Sequence, residues 1–427
     1  MLKESFVTKH YKLAKERYAA VGVDTDKVLQ DLQNIKISLH CWQGDDVAGF
    51  MHPGQALTGG ISVSGNYPGK ATNPTELRAD LDEALSLIPG KHKVNLHAIY
   101  TDTDEKVDLD TIEPRHFSSW VQWAKEHGLG LDFNPTLFSH PMSESGFTLS
   151  SPDKTVRDFW IEHCKRSRKI SEYFGKELGQ QCVNNIWIPD GMKDNPIDKM
   201  APRERLKEAL DEILSEKIDQ KYTIEAVEGK LFGTGVESYT VGSHEFYMLY
   251  ALTHDLLWTI DAGHFHPTED VSDKFSAYLL FGKGLMLHVS RPVRWDSDHV
   301  VIMNDELIRI TRTLVRENLL DKVNIGLDFF DATINRIAAW VIGARNTLKA
   351  IMIGMLAPID ELKKAELEFD FTKRLALTEE LKSFPFGAVW DYFCLKNNVP
   401  VGEDWLEEVR KYENRILPER QVDQTAH

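Results

Sequence analysis

The stretch GLMLHVS, residues 284–290, is apolar at almost every position and then stops on a histidine and a serine. A strand with one wet face alternates apolar and polar residues. This one does not, so it reads as a strand covered on both faces, as in a parallel sheet. Seven further runs have the same character: KISLHCW (36–42), KVNLHAIY (93–100), LGLDFNP (129–135), VNNIWIPD (183–190), YTIEAVE (222–228), LWTIDAGH (257–264) and VNIGLDFF (323–330). Helical periodicity fills the intervals. In FSSWVQWAKEHGLG (117–130), Trp120, Val121 and Ala124 share a face, and Gly128 follows as a C-cap. In RERLKEALDEILSEKI (203–218), Leu206, Leu210, Ile213 and Leu214 do the same.

Eight such units in series predict an α/β fold of the (β/α)8, TIM-barrel type. An open doubly wound sheet is the competitor, because periodicity does not reveal closure. Its nucleotide-binding version is weakened by the lack of GxGxxG after the first strand and of GxxxxGK[ST] anywhere. A barrel needs roughly 250 residues, and the chain has 427. The surplus divides into an N-terminal helical segment (1–35), the barrel (36–345) and a C-terminal helical extension (346–427) expected to serve oligomer contacts. Residues 52–74, rich in Gly, Pro and Ser, are too long for a plain connection and read as a mobile lid.

Composition narrows the partners. Apolar residues make up 42% and aromatic residues 10%, as in a globular protein. A formal net charge of −16 argues against nucleic acid or an anionic membrane, both of which need a basic face. No stretch approaches the roughly 18 apolar residues of a membrane span, and the amphipathic start has no signal-peptide core. Four cysteines (Cys41, Cys164, Cys182, Cys394) without a CxxC pair fit reduced thiols in a cytoplasmic protein.

The active end of such a barrel is where its strands finish, and there the chain places chemistry. The second strand carries His97, the fourth leads through Trp187 to Asp190, and the fifth ends on Glu228 with Lys230 beyond. The sixth ends on Asp261 followed by His264, the seventh on His288 ahead of Asp296 and Asp298, and the eighth on Asp328. Taken singly, each has a plain reading. Asp328 reads as a helix cap, His97 as a satisfied core group, Trp187 as packing and Lys230 as an ion-pair partner of Glu228. Asp296 and Asp298 alone read equally well as a solvated loop held by Arg291 and Arg294. Together, Glu228, Asp261, Asp296, Asp298 and Asp328 bring five carboxylates to one mouth, a costly arrangement unless compensated. Two divalent cations with His264 and His288 as neutral ligands would nearly balance it, and mixed oxygen and imidazole donors favour Mn, Co, Zn or Mg. In extended backbone Asp296 and Asp298 point the same way and would share one ion. His40, His140, His244 and His299 stay unassigned; GSHEFYM lacks the second histidine of a zinc HExxH motif.

Long blocks of this sequence resemble one family. LHCWQGDDVAGF, LHAIY, GLDFNP, IWIPDGMKD, DAGHFHPTE, LLFGKGLMLHVSRPVRWDSDHV and IGLDFFDATINRIAAWVIG are similar to the L-rhamnose isomerases, from about residue 10 into the C-terminal helices. The resemblance implies a homotetramer that interconverts L-rhamnose and L-rhamnulose by a metal-assisted 1,2-hydride shift. It implies two divalent metals per subunit, typically Mn2+, with Zn2+, Co2+ or Mg2+ as substitutes. It puts Glu228, Asp261, His288 and Asp328 on the first metal, and His264, Asp296 and Asp298 on the second. It makes Asp296, Lys230 and Asp298 the catalytic group, and lines the sugar pocket with His97, Trp187, Phe133, Lys230, His264 and His288. The competing functions are a metal-dependent sugar isomerase of other aldose preference, a barrel phosphodiesterase or endonuclease, and a non-catalytic sugar-binding protein. The acidic chain weighs against the nuclease, and five carboxylates in one mouth against the mere binder.

Overall fold

The computed structural model describes residues 2–52 and 54–424, with side chains to residue 420. All eight runs form strands: β1 Ile37–His40, β2 Lys93–His97, β3 Gly130–Asn134, β4 Cys182–Ile186, β5 Thr223–Glu228, β6 Leu257–Asp261, β7 Leu285–Val289 and β8 Val323–Leu327. They are parallel and close on themselves, β8 returning to β1 with Ile325 beside Ile37 and Gly326 beside Ser38. A helix follows each strand, from Pro74–Ser86 after β1 to Arg336–Met355 after β8. Gly128 ends the helix Ser118–His127 in the left-handed conformation, at φ 64°, as its position foretells. The expected boundary at 345/346 falls inside the continuous helix Arg336–Met355.

Strand parity builds the lumen. Alternate residues of a strand face the same side. Val183, Ile224, Ala226, Leu257 and Met286 form a separate buried apolar cluster, the floor of the barrel interior. Two positions further along the same strands stand Asn185, Glu228, Thr259 and His288, and Asp261 follows Thr259. One face of each strand therefore runs from oil to polar groups over a single turn of the pleat, and the polar end lies at the mouth formed by the strands' C-terminal ends.

Helices flank the barrel at both chain ends. Helix Glu4–Ala19 lays Tyr11 on Tyr392 of helix Phe386–Lys396, the rings stacked 4.0 Å apart. The last helix, Trp405–Gln424, anchors through Arg420, whose guanidinium donates two 2.8 Å bonds to the buried Asp80, while Tyr412 donates to the same carboxylate at 2.7 Å. Bidentate pairs of this kind fix orientation as well as energy. Further out, Leu367, Phe369, Phe371 and Leu375 are exposed on the extension. No helix among the described residues is long and apolar enough to cross a membrane.

Candidate functional site

A cavity of about 400 Å3 opens at the ends of the strands. Glu228, Asp261, His288 and Asp328 converge beside it, each offering a ligand atom within 4.8 Å of the others. His288 Nδ1 is the hub, 3.5 Å from Glu228, 3.7 Å from Asp261 and 3.4 Å from Asp328. The register makes this meeting: Asp261 pairs level with His288, and His288 level with Gly326.

The electrostatics of the four are those of a site built around positive charge. Burial pushes the Asp261 carboxyl well above the usual range, and the charges of Asp328 and Glu228 push the same way. Burial works against ionisation of Glu228 too, but His288 beside it holds that carboxyl low. Asp328 is likewise held low by His288 against burial. The imidazole of His288 is raised well above its ordinary range by Glu228 and Asp328, although burial opposes it. At 1% exposure neither of its ring nitrogens has a hydrogen-bond partner among the described residues. Unpaired nitrogens at such depth are rare and costly. A divalent cation with oxygen and imidazole donors fits here, replacing shared protons.

The carboxylates are themselves held. Asn185 donates to Glu228 Oε2 at 2.6 Å, and Thr259 donates to Asn185 Oδ1 at 2.6 Å. Trp42 donates its indole N–H to Asp328 at 3.1 Å, and Ser290 donates to Asp261 at 3.1 Å. Sequence reading missed all four of these supports. Two polar residues inside the apolar run VNNIWIPD were the available signal for Asn185. Outer partners typically alter metal affinity ten- to a hundredfold. Asn185→Ala should therefore weaken Mn2+ binding about tenfold or more by calorimetry while leaving turnover at saturating metal largely intact. Unchanged affinity would mean Glu228 needs no such support.

His264, Asp296 and Asp298 lie on the cavity side. His264 Nε2 is 3.4 Å from Asp296, and His264 Nδ1 is 3.1 Å from the carbonyl of Gly229. These three do not gather as closely as the first four. The Lys230 ammonium sits 2.7 Å from Asp296, not on Glu228. Burial disfavours that charge, but Asp296 and Asp298 raise the lysine's pKa nonetheless. Asp296 and Asp298 do not follow the extended-strand rule, because Asp298 is left-handed at φ 49°. A non-glycine there is strained, and burial with the Asp296 charge pushes its carboxyl well up. Gly263 separates the two groups. A Cβ there would lie 2.7 Å from Asp296 Oδ1 and 3.1 Å from Asp261 Oδ1, so no side chain fits.

Around this polar patch the walls are aromatic. His97 lies edge-on to Trp42 at 4.7 Å and to Phe138 at 5.5 Å, its Nδ1 3.1 Å from the Thr136 hydroxyl. Burial pushes its pKa down to about 4, so it is neutral. Trp187 lies under the Lys230 ammonium, 5.6 Å from its ring centre. Phe133 does not line the cavity. It packs between Phe117 and Phe174 at 5.2 and 5.6 Å, because strand parity turns it outward and its neighbour Asn134 inward. Arg291 donates to the carbonyl of Val300 and so braces the hairpin Arg291–His299. His299 touches the Ser297 hydroxyl.

The 52–74 segment is tied at several points. Thr58 and Ser139 exchange backbone-to-hydroxyl bonds, and Gly65 bridges Ala332. Among its described residues, only those from Gly60 to Ser64 reach the cavity. One buried side chain holds both ends of the longer loop. Arg336 grips Asp46 with two 2.8 Å bonds and donates to the carbonyl of Tyr67 at 2.7 Å. Asp46 and Val47 are both left-handed, at φ 62° and 60°, and for a β-branched residue that is a true outlier. The clamp thus presses Val47 into the cavity wall. Arg336→Ala should raise KM for the substrate about tenfold with kcat changed far less, since ordering a wall affects binding first. An equal fall in kcat would place the clamp's role in the chemical step instead.

Fold and site together define a (β/α)8 barrel enzyme with a carboxylate- and imidazole-rich centre. The family described as L-rhamnose isomerase (RhaA) matches residues 5–420. L-rhamnose isomerase of Lactiplantibacillus plantarum is 68% identical over 416 residues, 97% of either chain. That of Salmonella paratyphi B is 59% identical over 410 residues, 96% of this chain and 98% of its own. A solved L-ribulose 3-epimerase is similar over 78% of this chain and 97% of its own, with 12% identity and a TM-score of 0.48. The chain belongs to the L-rhamnose isomerase family, whose members are aldose–ketose isomerases.

Proposed function

We propose that this chain interconverts L-rhamnose and L-rhamnulose by a metal-assisted 1,2-hydride shift. The observation that carries the reading is the convergence of Glu228, Asp261, Asp328 and the unpartnered His288 beside a sugar-sized cavity. The relatives named above support the substrate. Glu228, Asp261, His288 and Asp328 would hold one divalent cation, and His264, Asp296 and Asp298 a second, manganese being the first choice. Such cations act as Lewis acids on neighbouring sugar oxygens.

The residues of the chain do the rest. The hydrogen on C2 moves with its electron pair to C1, and the O2 proton ends on O1, so the reaction balances without an outside reagent. Lys230 supplies positive charge beside the sugar oxygens and stays ionised through Asp296. Trp187 and Phe138 give an apolar wall that excludes water from the migrating hydrogen. A proton-transfer route would need a free base on the cavity. His97 is neutral but tied near Thr136, and Asp331 accepts from the Thr333 backbone and hydroxyl. The test uses L-rhamnose deuterated at C2. Deuterium retained at C1 of the ketose, with none exchanged into water, is expected; wash-out into solvent would sink the hydride route. A ketose assay across other aldoses decides preference.

The chain also assembles, on this reading, as a cytoplasmic homotetramer, to which the exposed Leu367, Phe369, Phe371 and Leu375 would contribute apolar area. A monomeric mass by sedimentation would overturn that.

A further inference from the structure

A second cavity, of about 360 Å3, lies where barrel helix Asp305–Arg316 meets the C-terminal extension. Arg309, Arg312 and Arg316 stand three and four residues apart on that helix and line one side of it. Arg309 lies 3.4 Å from Asp270. Arg312 and Arg316 are half-buried, and among the described residues neither has a carboxylate within ion-pair distance or a hydrogen-bond acceptor. The Nε of Arg316 is sealed from solvent and unpartnered.

Nearby acids are already engaged. Glu366 pairs with Arg374 at 2.7 Å and Glu379 with Lys382 at 2.8 Å. Among the described residues Asp305 is the one carboxylate on the lining, at the start of the helix. Like charges four residues apart on a helix repel, and guanidinium groups taken out of water need acceptors. Burial lowers the basicity of both arginines, and Arg312 adds to the effect on Arg316. Glu379 and Asp305 act on Arg312, and Glu366 on Arg316, only from a distance, so both guanidiniums line the cavity without a direct acidic partner. Away from that helix the lining includes the apolar Tyr18, Leu356 and Phe386, together with Lys382.

We propose that Arg312 and Arg316 form an anion site for a phosphate-bearing small molecule, separate from the catalytic cavity. Two guanidinium forks present parallel donors suited to phosphate oxygens. The cavity exceeds what one phosphate fills, and its apolar wall suits the organic part of a phosphate ester.

Calorimetry on the full metal-loaded chain, dialysed free of excess metal, tests this with inorganic phosphate, pyrophosphate and fructose 1-phosphate as probes. At least one is expected to bind with a Kd of about 1 mM or tighter. The double variant Arg312→Gln/Arg316→Gln should weaken that binding at least about tenfold, while turnover of L-rhamnose without phosphate stays within about twofold. Tighter binding of fructose 1-phosphate than of phosphate marks an ester site; equal binding marks a free-phosphate site. Arg316→Lys, which keeps the charge but not the fork, should fall between. The proposal is overturned if no probe binds at about 10 mM, or if the double variant binds equally well. It is also overturned if the variant changes only the mass in solution, since the arginines then face a second copy.

Discussion

Replacing Asp296 by Asn lowers turnover by about a thousandfold, roughly 4 kcal/mol of barrel-mouth stabilisation of the transition state, with the fold intact. The substitution is nearly isosteric and leaves an oxygen for Lys230, now 2.7 Å away. What it removes is the negative charge 3.4 Å from His264, and with it a ligand proposed for the second cation. Circular dichroism and the melting temperature should change little; Mn2+ titration should lose about one of two equivalents. Turnover within about tenfold of the parent would show that Asp296 merely neutralises Lys230. Unfolding would give the residue a structural role, and Asp298→Asn, on the strained and more exposed position, then separates the two.

On the metal reading, removing divalent metal should abolish measurable isomerisation and destabilise the fold, and Mn2+ should restore both. Three carboxylates around one imidazole, at the depth of Asp261 and His288, favour a folded state that binds a cation. Binding to the folded chain alone adds about 2.7 kcal/mol at a hundredfold excess over Kd, enough for a shift of several degrees. Reconstitution metal by metal ranks Mn2+ against Co2+, Zn2+ and Mg2+. His288→Ala serves as control, since it should bind one equivalent fewer yet keep the cavity-side group. Full activity after exhaustive chelation would end the metal reading.

The eight strands were legible because each is buried on both faces and so reads as a nearly unbroken apolar run. Their polar ends were legible for the opposite reason: Glu228, Asp261, His288 and Asp328 are out of place in such company. Parity was harder. A five-residue strand such as GLDFN gives no clue to which of Phe133 and Asn134 faces the lumen, and the answer comes from Phe117 and Phe174, on helices distant in sequence. The Trp42–Asp328 bond joins residues 286 positions apart for the same reason. Asp298 escaped because a left-handed aspartate inside an otherwise extended hairpin depends on the register opposite it, not on its own preference.

Arg336 has a consequence beyond binding. Both ends of the loop between Asp46 and Tyr67 report to one guanidinium rooted in a barrel helix, while Ser139 and Ala332 tie its interior to the loops that follow β3 and β8. The stretch of cavity wall from Gly60 to Ser64 is thereby held from three separate elements, so that losing any one anchor loosens it without freeing it.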